Sequence, residues 1–188
     1  MKNKKFLVLS SPSGGGKTTV AKYLMDLFPS ISFSISATTR NKRPNEIDGK
    51  DYYFLSKAEF QSKIDKNELI EYEEIFSNYY GTLVSELVRA KDNGQILLFD
   101  IDVKGAFSIK KYFPEEALLI FLAPPDYKIL EQRLRDRNTE SEEQLQKRME
   151  RVKSEMEQAD MFDYVIVNDV LDNTLQSVKK IMENDFFN

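Results

Sequence analysis

Short apolar runs alternate along this chain with stretches whose apolar residues recur at helical spacing. Phe6–Ser10 reads as a buried strand. Thr18–Phe28 follows as a helix, stopped by Pro29, which has no N–H to continue the ladder. Ile31–Ala37, where Ile and Ser alternate, predicts a short strand. Ile96–Asp100 and Leu118–Ala123 are continuous apolar runs, as expected for central strands of a parallel sheet covered on both faces. Asp126–Arg137 is helical, with Leu130 and Leu134 on one face. Leu145, Met149, Val152 and Met156 form the core stripe of a further helix. Tyr164–Asn168 predicts a last strand and Asp172–Glu183 a last helix. Strand, helix and strand at these spacings predict an α/β doubly wound domain.

Two stretches interrupt this rhythm. Thr39–Gly94 is rich in Tyr, Glu, Asn and Gly around short strand-like pieces and reads as an inserted lobe, with helices near Lys57–Lys66 and Val84–Asp92. Asp136–Glu143 is polar without apolar period and reads as a lid.

Composition narrows the chemistry. With 188 residues the chain can bury one substantial core. No apolar run approaches the roughly 18 residues of a membrane helix. The basic start Met1–Lys5 leads only into Phe6–Leu9, too short for a signal-peptide core, so a cytoplasmic protein is expected, without a membrane partner. The net charge of −4, from 27 basic and 31 acidic residues, argues against a nucleic-acid partner, so any phosphate site must be a local cluster. Cys and His are both absent. Disulfides, Cys/His zinc sites, a Cys nucleophile and a His base are therefore excluded. Carboxylates, Lys, Arg, hydroxyls and a hard cation such as Mg²⁺ remain, a set suited to phosphoryl transfer.

The segment Ser11-Pro-Ser-Gly14-Gly15-Gly16-Lys17-Thr18 lies between the first strand and the first helix, the context of a phosphate-binding P-loop. Glycines let several backbone N–H groups converge on one anion, and the helix N-terminus adds positive potential. Lys17 can reach the β- and γ-phosphates of ATP, and the Thr18 hydroxyl can ligate Mg²⁺. Ser11 stands where the pattern has its first Gly, and a Gly-rich turn that merely caps a helix is the alternative. Other charged residues are ambiguous by spacing alone. Glu71, among Glu73 and Glu74, reads as part of a solvated face. Arg40 and Arg43 read equally as an ordinary basic loop. Asp100, ending an apolar strand, is either a Walker-B carboxylate or a turn residue.

Further motifs give the chain a recognisable likeness. They include Ser34-Ile-Ser36-Ala-Thr-Thr-Arg40, Arg43-Pro44, Gly49-Lys-Asp-Tyr52, Leu69-Ile-Glu71, Asn78-Tyr-Tyr80-Gly-Thr82, Asp100-Ile-Asp102, Arg133-Leu-Arg-Asp-Arg137, Thr139-Glu140 and Val165-Ile-Val-Asn168-Asp169. In this order, over nearly the whole length, the chain resembles the guanylate kinase family of P-loop nucleoside monophosphate kinases. The resemblance implies a three-layer P-loop core (1–38 and 95–188), a lid near 136–143 and a GMP-binding lobe (39–94). It implies that Ser36, Glu71, Tyr80, Thr82, Asp100 and Asp102 serve GMP, with Arg40, Arg43 and Tyr52 on its phosphate. ATP would engage Ser11, Pro12, Ser13, Gly14, Gly15, Gly16, Lys17, Thr18 and Thr19, with Asn168. Lys17, Arg133, Arg137 and Arg148 would be catalytic, and Thr18 and Asp100 would serve Mg²⁺. The implied reaction moves the γ-phosphoryl of ATP onto GMP.

One carboxylate at position 71 could accept both N1–H and the 2-amino group of guanine, whereas adenine would leave it unpaired. Two departures from the family pattern stand out: Lys104 where Gln is usual and Asn138 where Gly is usual. Two alternatives remain at this point. A kinase on the same scaffold could act on another phosphorylated acceptor such as a ribose bisphosphate. A guanylate-kinase-like module could bind phosphopeptides without catalysis.

Overall fold

The apolar runs form a five-stranded parallel sheet in the order β2-β7-β1-β8-β9 in a computed structural model, which describes residues 4–12, 15–135 and 142–187. The strands are β1 (Phe6–Ser10), β2 (Ile31–Phe33), β7 (Ile96–Asp100), β8 (Ala117–Ala123) and β9 (Tyr164–Val167). Every residue of β8 is buried, because helices cover both faces. Alternation along β1 shows the layering. Leu7 and Leu9 pack with Val20 and Leu24 of α1 (Lys17–Leu27) and Val178 and Met182 of α7 (Leu171–Met182). Val8 faces the opposite layer, with Ala90 of α3 (Val84–Asp92) and Val103, Ala106 and Ile109 of α4 (Val103–Tyr112). Two further helices, α5 (Tyr127–Arg135) and α6 (Glu142–Glu157), precede β9. The stripe on α6 points inward as its period predicts: Leu145 and Val152 are buried, Met149 and Met156 partly so.

A second sheet has the order β4-β3-β6-β5. It is built from β3 (Ser36–Thr38), β4 (Tyr53–Phe54), β5 (Leu69–Ile75) and β6 (Asn78–Leu83). It packs on α2 (Lys57–Asp65) through Phe60, which is fully buried with Ala37 and Leu83. Ser56 and Glu59 close a capping box at the start of α2.

The single strand expected at Ile31–Ala37 is in fact two. Ile31–Phe33 pairs with β7 in the large sheet, and Ser36–Thr38 pairs with β6 in the small one. The chain changes sheets at Ser34-Ile35, where the Ile35 N–H turns away to Glu86 Oε2 at 2.8 Å. The apolar period between β7 and β8 is too weak to predict α4, because three of its four buried positions, Val103, Gly105 and Ala106, are small, and only Ile109 is large. Among the described residues, no helix is long and apolar enough to cross a membrane.

Candidate active site

The chain enters the site at the C-terminal end of the parallel sheet, where α/β proteins bind ligands. Leu9 of β1 lies beside Asp100 of β7 in register. The turn after β1 and the carboxylate ending β7 are therefore neighbours. In that turn the Gly15 N–H donates to the Pro12 carbonyl at 2.9 Å. A Cβ on Gly15 would lie 2.5 Å from Ser11 Oγ, so Ser11 fills the space that a glycine side chain leaves. Ser11 itself is not among the residues with positive φ, which explains why the first glycine of the usual pattern is dispensable here. Gly16 caps α1 with φ 92°, a conformation few side chains tolerate. Lys17 Nζ donates to the Ser11 carbonyl at 2.9 Å and lies 3.8 Å from Asp100 Oδ1. Burial raises the Asp100 pKa, opposed by Lys17 and by a hydrogen bond from Thr18.

Asn168 secures this turn from behind. It is buried, its Nδ2 donates to the Gly15 carbonyl at 2.8 Å, and its Oδ1 accepts from Thr174 Oγ1 at 2.9 Å. Its side chain is thus occupied by the loop backbone and α7.

A cavity of about 300 Å³ opens between the two sheets beside Lys17. Ser36, Tyr52, Glu71 and Tyr80 line it from the small sheet and its loop, and Asp100 and Asp102 from the large one. Glu71 is 9% exposed, and its Oε1 accepts from Thr82 Oγ1 at 2.6 Å. Burial pushes the Glu71 carboxyl up to about 7, against the Thr82 hydrogen bond and with help from the nearby Asp102 charge. Asp102 caps α4 by accepting from the Gly105 N–H at 2.8 Å. Burial opposes its ionisation, yet hydrogen bonds from Glu73, Gly105 and Arg151 hold its pKa below the usual range. Glu73 is correspondingly raised to about 7, by burial and by the bond it shares with Asp102. Burial and the Asp100 charge also raise the Tyr52 phenol.

Not every expected site residue reaches this cavity. Thr82 stands behind Glu71, fully buried. Thr18 and Thr19 are exposed on the first turn of α1. Arg40 and Arg43 do not line the wall. Arg40 instead makes a bidentate pair with Glu46, at 2.7 and 3.0 Å, with its guanidinium 5.3 Å from the Tyr52 ring. The Arg43 N–H donates to the same Glu46 carboxylate at 2.7 Å. That carboxylate supplies the anion that holds both ends of the loop together. Arg148 does line the cavity, 5.5 Å from the centre of the Phe76 ring. Arg133 belongs to α5, but its side chain is outside what is described. Ser13, Gly14, Arg137 and Asn138 also lie outside the described residues, as does the expected lid up to residue 141. Positions 142 and 143 already belong to α6. Lys104 is largely exposed and pairs with Glu73 at 2.7 Å.

Three charged lining residues, Glu73, Arg151 and Glu155, are absent from the residues that the motifs name. On α6 the one usable signal was spacing. Arg148 and Arg151 are three residues apart and so share a helix face.

A parallel sheet of this order, a lysine-bearing turn after its central strand and an acid-lined pocket facing a second sheet define a P-loop nucleoside monophosphate kinase. The guanylate kinase family model matches residues 3–185. A guanylate kinase of Salinibacter ruber is 48% identical over 177 residues, covering 94% of this chain and 94% of the relative. One from Chlorobaculum tepidum is 49% identical over 174 residues, covering 93% of this chain and 89% of the relative. The crystal structure of guanylate kinase from Anaplasma phagocytophilum superposes with a TM-score of 0.78 at 32% identity, covering all of this chain and 89% of that one. The chain belongs to the guanylate kinase family.

Proposed function

We propose that this enzyme transfers the γ-phosphoryl group of ATP reversibly to GMP, giving ADP and GDP, in the cytoplasm. The observation that carries the reading is Glu71. It is a buried carboxylate, oriented by Thr82, facing the same cavity as Lys17 and Asp100. Guanine, which offers two adjacent ring donors, satisfies such a group, whereas adenine has no such pair on that edge and leaves it desolvated and underpaired. The match to guanylate kinases over nearly the whole chain disfavours a ribose bisphosphate acceptor. A purely binding module would not need Lys17 and Asp100 together at the end of the sheet.

ATP phosphates would lie on the turn from Ser11 to Thr19, with Lys17 drawn from the Ser11 carbonyl to the β- and γ-phosphates. GMP would lie between Ser36, Tyr80, Glu71 and Asp102, with its phosphate toward Tyr52 and, beyond that ring, Arg40 and Arg43. Thr18 and Asp100 would hold Mg²⁺. They offer a hydroxyl and a carboxylate already within hydrogen-bonding reach of each other, hard oxygen donors of the kind that ion accepts. When bound, Mg²⁺ supplies charge neutralisation between the phosphates. The acceptor oxygen belongs to a phosphate with a second pKa of about 6, so no side chain has to remove a proton to create the nucleophile. What the chain supplies is alignment of two anions, with Lys17, Arg133, Arg137 and Arg148 screening their repulsion.

The test is ATP consumption measured across GMP, AMP, CMP and UMP. GMP should be used at least about 10²-fold more efficiently than AMP, and Glu71→Gln should narrow that gap. Equal use of AMP, or a gap untouched by Glu71→Gln, would refute the assignment.

A further inference from the structure

Arg151 is the cation in the cavity wall that no motif pointed to. It lies on α6 three residues beyond Arg148. Its Nη2 donates to Asp102 Oδ2 at 2.6 Å and lies 3.4 Å from Glu73 Oε2, while its Nε donates to Glu155 Oε1 at 2.7 Å. Carboxylates from three elements thus hold one guanidinium: the cap of α4, strand β5 and α6 itself. Arg148 meanwhile rests against Phe76, at the tip of the β5–β6 hairpin. Helix α6 therefore reaches the acceptor side twice, through Arg151 on Asp102 and through Arg148 on Phe76.

An arginine serving only the helix would need no more than its pair with Glu155, four residues on. Here the guanidinium fork also crosses to another element. It takes Asp102 Oδ2 while the Gly105 N–H takes Oδ1. Held at both oxygens, Asp102 is confined to one orientation, and each oxygen keeps acceptor capacity for a further donor. Fixed geometry of this kind is what a recognition carboxylate requires.

We infer that Arg151 is a positioning residue that links filling of the acceptor pocket to the placement of Arg148, acting through Asp102. The inference rests on the reading of Asp102 as part of the acceptor site. Without the guanidinium, Asp102 loses its fixed orientation, and α6 loses the tie that sets Arg148 over the pocket.

The experiment is a double-mutant cycle on the full chain, using Arg151→Met, Asp102→Asn and the double variant, with kcat and the KM of each substrate measured. Arg151→Met should raise KM for GMP about tenfold and lower kcat by a similar factor, with KM for ATP changed by less than about twofold. In the Asp102→Asn background, the same change should alter either constant by less than about threefold. Arg151→Lys, which keeps the charge but loses the fork, should recover part of the loss. Equal losses in both backgrounds, or a parallel rise in both KM values, would overturn the inference. If Arg151→Met does not fold, Arg151→Lys carries the same cycle: its smaller loss should shrink further in the Asp102→Asn background, and an equal loss in both backgrounds would overturn the inference. An unchanged GMP constant in Asp102→Asn alone would overturn the acceptor-site reading itself, and the inference with it, which separates the two failures.

Discussion

Glu71 is 9% exposed, and burial pushes its carboxyl from the ordinary value near 4.5 up to about 7. Between those two values the folded state holds a proton that the unfolded chain has released. The stability contributed by this group is therefore complete below about pH 4.5 and is lost as pH rises through 7. With guanine held by Glu71 as proposed, binding has the opposite sign, because only the ionised carboxylate accepts both ring donors. KM for GMP should be about tenfold larger at pH 6 than at pH 8. Glu71→Gln should retain only the smaller drift that comes from the phosphate's own ionisation near pH 6. A wild-type profile as flat as the variant's would contradict this. Gly105 tests the same corner by shape. A Cβ there would stand 3.0 Å from Glu71 Oε2 and 3.2 Å from Asp102 Oδ1. Gly105→Ala gains about 1 kcal/mol of helix propensity in α4. Its Tm should therefore hold or rise while KM for GMP increases several-fold, and falling Tm with unchanged KM would contradict that. Residue-scale chemistry was only partly legible in the sequence. Glu71 looked solvated because Glu73 and Glu74 flank it, and burial of one carboxylate in three depends on sheet pairing that spacing does not reveal. Arg151 looked like the wet flank of an apolar stripe, since its partners are 49 and 78 positions away.

The hairpin between β5 and β6 has a two-residue turn, Phe76-Ser77, with φ of 49° and 64°. Positive φ at both central positions is the mark of a type I′ turn, which Asn-Gly adopts without strain and Phe-Ser does not. The turn sets Phe76 at the hairpin tip, where its ring meets Arg148. Ser77→Gly relieves one of the two strained positions and leaves the ring in place. We expect a gain of roughly 0.5–1 kcal/mol, or about 1–3 °C in Tm by calorimetry, with turnover retained. A lower Tm would show that the turn is not strained at position 77. Elements were readable to the extent that their burial was uniform. β7 and β8 declare themselves as unbroken apolar runs because both of their faces are covered. The Ile/Ser alternation at 31–37 fits one half-buried strand as well as two strands in different sheets, so the break at Ser34-Ile35 left no trace in periodicity.

At the scale of the whole molecule, the crossing between the two sheets is held by one side chain. Glu86, 1% exposed on α3, accepts from the Ile35 N–H at 2.8 Å, Tyr53 Oη at 3.2 Å and Arg89 Nη2 at 2.8 Å. Arg89 continues to the Phe33 carbonyl at 2.7 Å, so the end of β2 and the link to β3 are both tied to the helix that follows the small sheet. Glu86→Ala would strand a buried N–H and leave Arg89 with one fewer partner, at a cost of about 2–4 kcal/mol. Thermal melting should fall by roughly 5–12 °C, and Glu86→Gln should lose less. An unchanged Tm would show that the crossover is held elsewhere. The doubly wound class and the phosphate turn were legible because both are local or strongly periodic. The arrangement of the two sheets was not, because it depends on contacts such as Ile35 to Glu86 that are 51 positions apart. The bond from Asn168 to the Gly15 carbonyl spans 153 positions and carries a consequence for biosynthesis. As the ribosome releases the chain, the glycine turn emerges well before its buttress, which follows 153 positions later. β1 must likewise wait for both β7 and β8 before it has neighbours. The nascent polypeptide therefore cannot give the glycine turn its final shape until β9 and Asn168 have followed it out, so the turn and its support settle together.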